Sequence, residues 1–102
     1  MLYIMYNEVK KIQELQKYSD FNAVNKKAKQ LLGVGVEVST RKDKKYMIRT
    51  PDGKVVHFGA WGMEDYTKHK NQDRLNAFKK RNKKWATAPK WSASFLSYFL
   101  LW

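Results

Sequence analysis

Apolar positions follow a helical period through the first third of the chain. Leu2, Met5, Val9, Ile12 and Leu15 recur at three- and four-residue intervals, with Glu8, Lys10, Lys11 and Gln13 off that stripe. Ser19-Asp20 offers a helix cap, and Phe21, Val24, Ala28 and Leu31 form a second helical stripe. Gly33 stops it where a helix commonly ends on a left-handed residue. The period then shortens to two. Val34, Val36 and Val38 alternate with Gly35 and Glu37; over 44–50, Tyr46 and Ile48 face one way, Met47 and Arg49 the other. Thr50-Pro51-Asp52-Gly53 is a turn, because proline presets its φ, aspartate bonds back to the backbone and glycine accepts positive φ. Lys54 to Phe58 returns, which predicts a three-stranded antiparallel meander with Arg41 to Asp43 in its first turn.

Gly59-Ala60-Trp61-Gly62 breaks the strand and leads into a predicted basic helix over 66–85, with Leu75, Phe78 and Trp85 on one narrow side. Glu64 and Asp65 at its start complement the helix dipole. Pro89 ends this helix, Ser92 can cap the next, and Phe95 to Trp102 is apolar except for Ser97. The expected fold is therefore one α+β domain over 1–102. It comprises an N-terminal helical pair (1–33), then the meander, the basic helix and a short apolar C-terminal helix (34–102).

Charge changes the picture more than size does. The chain carries 21 Lys+Arg against 9 Asp+Glu, a formal net charge of +12, while 43% of its residues are hydrophobic. Such a composition specifies a folded protein whose field favours polyanions: nucleic acid, anionic lipid or an acidic protein surface. There is no cysteine, which excludes disulfides, thiolate metal sites and a cysteine nucleophile. The start lacks the order of a signal peptide, and FLSYFLLW is far shorter than the roughly 18 residues a membrane span requires.

The asymmetry is sharpest late in the chain, where Asp73 is the sole acid after Asp65. Lys68, Lys70, Arg74, Lys79, Lys80, Arg81, Lys83 and Lys84 form a candidate basic face for phosphates or another acidic partner, with Tyr66 or Trp85 as stacking surfaces. The plain alternative is a solvated face above core anchors Phe78 and Trp85. Trp91, Phe95, Leu96, Phe99 and Trp102 are candidate apolar docking residues, since so apolar an end must be buried in the core or against a partner. His57, Asp65, His69 and Asn82 suggest a nuclease-like metal set only superficially. No catalytic residue, metal ligand, cofactor or small-molecule substrate is expected.

The order of the segments STRKDKKYMI, PDGKVVHFG, GMEDYTKHK, RNKKW and SFLSYFLLW resembles a family of small basic proteins encoded by large nucleocytoplasmic DNA viruses, over about residues 34–102. The resemblance implies origin more than activity and carries over no site residues. It implies a virion component made in the host cytoplasm: a minor capsid or cement protein, partnered by other capsid proteins or the anionic inner-membrane surface. The rival expectation is a sequence-nonspecific nucleic-acid-binding protein of genome packaging, with DNA as partner. The two differ in the apolar ends. A free-standing DNA binder buries Phe95, Leu96, Phe99 and Trp102 in its own fold, whereas a cement protein leaves an apolar segment for a neighbour.

Overall fold

The computed structural model describes residues 2–102, with side chains from Val9 onward. Helices α1 (Leu2–Leu15) and α2 (Phe21–Leu32) precede strands β1 (Glu37–Val38), β2 (Lys44–Arg49) and β3 (Val55–Ala60). There follow α3 (Tyr66–His69), α4 (Gln72–Arg81), a 3-10 helix (Lys83–Thr87), α5 (Ala93–Leu96) and a π-helical turn (Ser97–Leu101). This is the α+β arrangement expected.

Local signals place most of these boundaries. Asp20 caps α2 by accepting from the Ala23 N–H at 3.1 Å, and Gly33 ends the helix at φ 77°. The strands form an antiparallel meander in the order β1-β2-β3, closed at 50–53 by Gly53 at φ 84°. Tyr46 lies opposite both Val38 and Phe58, and its ring stacks on Phe58 at 5.6 Å. Leu15, Val24 and Ala28 cover this face of the sheet from the helical side. Leu96, Leu100 and Leu101 complete the core, the wider π turn leaving two adjacent leucines inside.

Four expectations change. The first helical stripe packs only at its end: Leu15 is buried and Ile12 half-buried, but Val9 is 52% exposed, and the side chains of Leu2, Met5 and Glu8 lie outside the described residues. In the second stripe Leu31 is 56% exposed and Leu32 packs instead, the position four residues beyond Ala28. Of the alternating valines, Val36 and Val38 enter the core whereas Val34 stays outside a strand of only two residues. The helix expected over 66–85 is three pieces. Lys70 turns left-handed at φ 52°, and Asn71 restarts the helix by accepting from the Arg74 N–H at 3.1 Å. The short amide of Asn71 competes with the helical backbone and wins as a cap.

Candidate functional site

A groove of about 590 Å3 opens between the end of β3, α4 and the C-terminal helix. One face of α4 lines it, since Arg74, Ala77, Phe78 and Arg81 fall three, four and seven residues apart. Trp85 extends that wall from the 3-10 helix, and Trp102 and Ser97 stand across from it. Lys44 and Lys45 line the groove at the β2 end. The acid on the rim is Glu64, which meets Arg74 at 3.6 Å in an exposed pair. An exposed pair of this kind contributes little to stability and leaves the guanidinium free to exchange partners.

The aromatic lining is ordered by stacking. Phe78 lies parallel to Trp102 at 4.2 Å and meets Trp85 at 5.8 Å and 78°. Tyr98 lies 6.5 Å from Phe78, with the Lys79 ammonium 5.3 Å from its centroid. The predicted basic face is thus two surfaces. Arg74 and Arg81 come together on the groove, Lys79 is half-buried over Tyr98, and Lys68, Lys70, Lys80, Lys83 and Lys84 are exposed. The break at Lys70 removes Lys68 and Lys70 from the α4 face altogether.

The expected apolar docking set is largely used by the fold itself. Leu96 is fully buried in the core and therefore unavailable to a partner, because it sits on the inner side of the C-terminal helix. Trp91, Phe95 and Trp102 are half-buried against that core, and Phe99 alone of the set is exposed, at 36%. Phe95 and Phe99 touch at 4.6 Å, with Tyr98 4.9 Å from Phe99.

Beneath the groove lies a buried polar network that the sequence did not announce. The Lys45 ammonium donates to Asp65 Oδ2 at 2.9 Å and to the Met63 carbonyl at 2.8 Å, with both charged side chains almost wholly buried. Asp65 Oδ1 accepts from the Thr67 N–H at 3.1 Å and from the Thr67 hydroxyl, which makes it the N-cap of α3. Asp65 was expected only as a first-turn acid beside Glu64; it stands one position earlier, as a buried cap. Ser19 Oγ lies 3.2 Å from Thr67 Oγ1 and accepts from the Tyr46 hydroxyl at 2.5 Å. Burial lowers the Lys45 pKa against the opposing pull of Asp65, and burial raises that of Tyr46 despite the Ser19 bond. The network fastens the α1–α2 junction, β2 and the start of α3 to one another.

Lys11 is a second anchor missed by sequence reasoning. Its ammonium donates to the carbonyls of Ser39 at 2.5 Å, Arg41 at 2.8 Å and Lys44 at 3.2 Å, and lies 5.1 Å from the centroid of Trp61. It closes the β1–β2 turn from above. The signal for Asp65 was present as Asp-x-Thr before a helix; Lys45 and Lys11 left none, since their partners are set by tertiary folding.

The four residues of the nuclease-like set take separate partners. His57 Nδ1 lies 2.7 Å from Ser39 Oγ, Asp65 pairs with Lys45, and the Asn82 amide donates to the Phe78 carbonyl at 3.0 Å. His69 Nδ1 accepts from the Asn71 N–H at 2.9 Å while its ring packs 5.2 Å from Trp102. Burial lowers the pKa of both histidines, and nearby Arg41 and Arg74 reinforce the shift at His57 and His69 respectively.

No curated protein and no solved structure matches the chain. A family model, described as a family of unknown function (DUF5754), matches residues 34–85. That span holds the whole sheet, the Lys45–Asp65 pair and the α4 wall of the groove through Trp85, and leaves out α1, α2 and the C-terminal helix. With half its length so matched, the chain belongs to DUF5754, a family of unknown function.

Proposed function

We propose that this protein binds nucleic acid through its phosphates, without reading bases, and that the groove beside α4 is the centre of the contact. The observation that carries this reading is the convergence of Arg74, Arg81 and Lys44 on one aromatic-walled concavity in a chain of net charge +12. Guanidinium groups suit phosphate because they donate in a planar fork and keep their charge. Of Phe95, Leu96, Phe99 and Trp102, Leu96 is buried and Phe95 and Trp102 are half-buried against the core, which favours a free-standing binder, while Phe99 stays exposed. The role is one of binding rather than catalysis.

Titration of a fluorescently labelled oligonucleotide at rising salt tests the reading. Neutralised phosphates release counterions, so log K falls with log salt at about −0.9 per duplex contact. Arg74→Ala with Arg81→Ala is expected to weaken binding and shrink that slope by about two contacts. Absence of binding at low salt sinks the proposal.

A second reading, a shell component of a large DNA-virus particle, has a narrower support. Phe95, Tyr98 and Phe99 form an aromatic cluster that ends at the exposed Phe99. In that case fractionated particles carry the protein with the shell, and Phe99→Ser releases it. Recovery with the genome alone rules this reading out.

A further inference from the structure

The rings around the groove differ in what already covers them. Trp102 meets two rings, Phe78 at 4.2 Å and 5° and His69 at 5.2 Å. Phe78 has Trp102 against one face, with Trp85 and Tyr98 also around it. Trp85 is different. Among the described residues it meets one ring, Phe78, at 78°, and a single ring covers at most one of an indole's two faces. Half-buried on the groove wall, its indole borders the space it shares with Arg81 and the C-terminal helix.

Size and charge then select the occupant. About 590 Å3 lies within the roughly 300–1,000 Å3 of sites that enclose flat organic groups. A duplex keeps its base faces stacked inside and offers such a groove phosphate, sugar and base edges. An unpaired base has a free π-face and a flexible backbone on either side. Arg74 and Arg81 are two turns apart on α4, about 10 Å along its axis, or roughly three steps of a stacked strand. Cations at that interval flank a site where one base leaves the stack.

We infer that the groove takes one unpaired base of a single-stranded nucleic acid against Trp85, with the flanking phosphates on Arg74 and Arg81. This rests on the nucleic-acid reading above and sharpens it to a strand class. Stacking accepts any base, so the preference is for single strands and not for a sequence.

The test uses the full chain and a labelled oligothymidylate of about 12 nucleotides, within the site sizes of single-strand binders. The same length as a thymidine–adenine duplex is the comparison. Wild type is expected to bind the single strand at least about tenfold more tightly. Trp85→Ala removes most of that margin, by weakening single-strand binding more than duplex binding, and Trp85→Phe restores it. Trp85→Leu keeps an apolar contact for Phe78 without an aromatic face, so it replaces Trp85→Ala if that variant fails to fold. Equal affinity for both probes, or a margin that survives loss of the Trp85 ring, overturns the inference alone. Failure to bind either probe overturns it together with the nucleic-acid reading.

Discussion

Asp65→Asn strikes the fold at its buried ion pair, because it leaves the Lys45 ammonium buried with the Met63 carbonyl as its remaining acceptor among the described residues. Asparagine keeps an oxygen for the Thr67 N–H, so the α3 cap survives and the lost charge is isolated. Removing one partner of a buried pair costs about 3–5 kcal/mol. A domain of this size holds roughly 5–15 kcal/mol in total, so the change takes a large share of it. Asp65→Ala adds the cap, about 1 kcal/mol more. Lys45→Met is milder, since the Asp65 carboxylate keeps two donors from Thr67.

The pH dependence has a definite sign. Burial holds the folded-state pKa of Lys45 below its ordinary 10.5, and Asp65 opposes that shift. Without Asp65 the folded-state value falls further, so the unfolded chain binds the proton more tightly than the fold does. Stability then rises with pH between the folded-state value and 10.5. Urea unfolding of Asp65→Asn at about pH 7 and about pH 9.5 reads both effects, with the m-value checking that the transition stays two-state. A deficit that shrinks at the higher pH is expected, as is recovery of most stability in Asp65→Asn with Lys45→Met. A deficit below about 1 kcal/mol at pH 7, the level of an exposed pair, refutes the buried-pair account.

Gly59 sits at φ 82°, and a Cβ there would stand 2.9 Å from Leu101 Cδ1, whereas Gly62 at φ 86° has open space around it. Gly59→Ala is therefore expected to cost about 1–3 kcal/mol beyond the backbone strain that Gly62→Ala shares, as thermal melts of the two will tell. Lys11→Met leaves three carbonyls of the β1–β2 turn without their shared donor. Hydrogen exchange at residues 40–44 should quicken, with a stability loss of about 1–3 kcal/mol. His57 and His69 have folded-state pKa values below 6.5, so the unfolded chain protonates first as pH falls. Their stabilisation is intact above 6.5 and is lost as pH drops through the folded-state values, which denaturation midpoints from neutral to mildly acidic pH will show.

What could be read from the residues alone was what neighbours in sequence decide. The Ser19-Asp20 cap, the Gly33 stop, the Pro51-Asp52-Gly53 turn and the Tyr46/Ile48 alternation each rest on a few adjacent residues, and each stands in the fold. The basic 66–85 stretch is not one helix for a reason also local, the capping power of Asn71, which the longer apolar seam of Leu75, Phe78 and Trp85 masks in the sequence. The groove was half legible. Arg74, Arg81 and Trp85 were among the candidates, but their union with Lys44 and Trp102 depends on how α4 and the C-terminal helix meet β3. Lys45 gives the clearest case of what stays hidden. An exposed-looking lysine on a strand becomes buried only because the 63–65 segment folds over it with Asp65.

The central claim is that nucleic acid binds in the α4 groove rather than spreading over a uniformly basic surface. Backbone amide shifts of the labelled protein, followed during titration with a short single-stranded oligonucleotide, test it most directly. The account predicts the largest changes at Arg74, Ala77, Phe78, Arg81 and Trp85, with the Trp85 indole N–H among them. Changes of equal size at exposed lysines away from the groove, such as Lys26, Lys42 and Lys54, with Trp85 unmoved, contradict it.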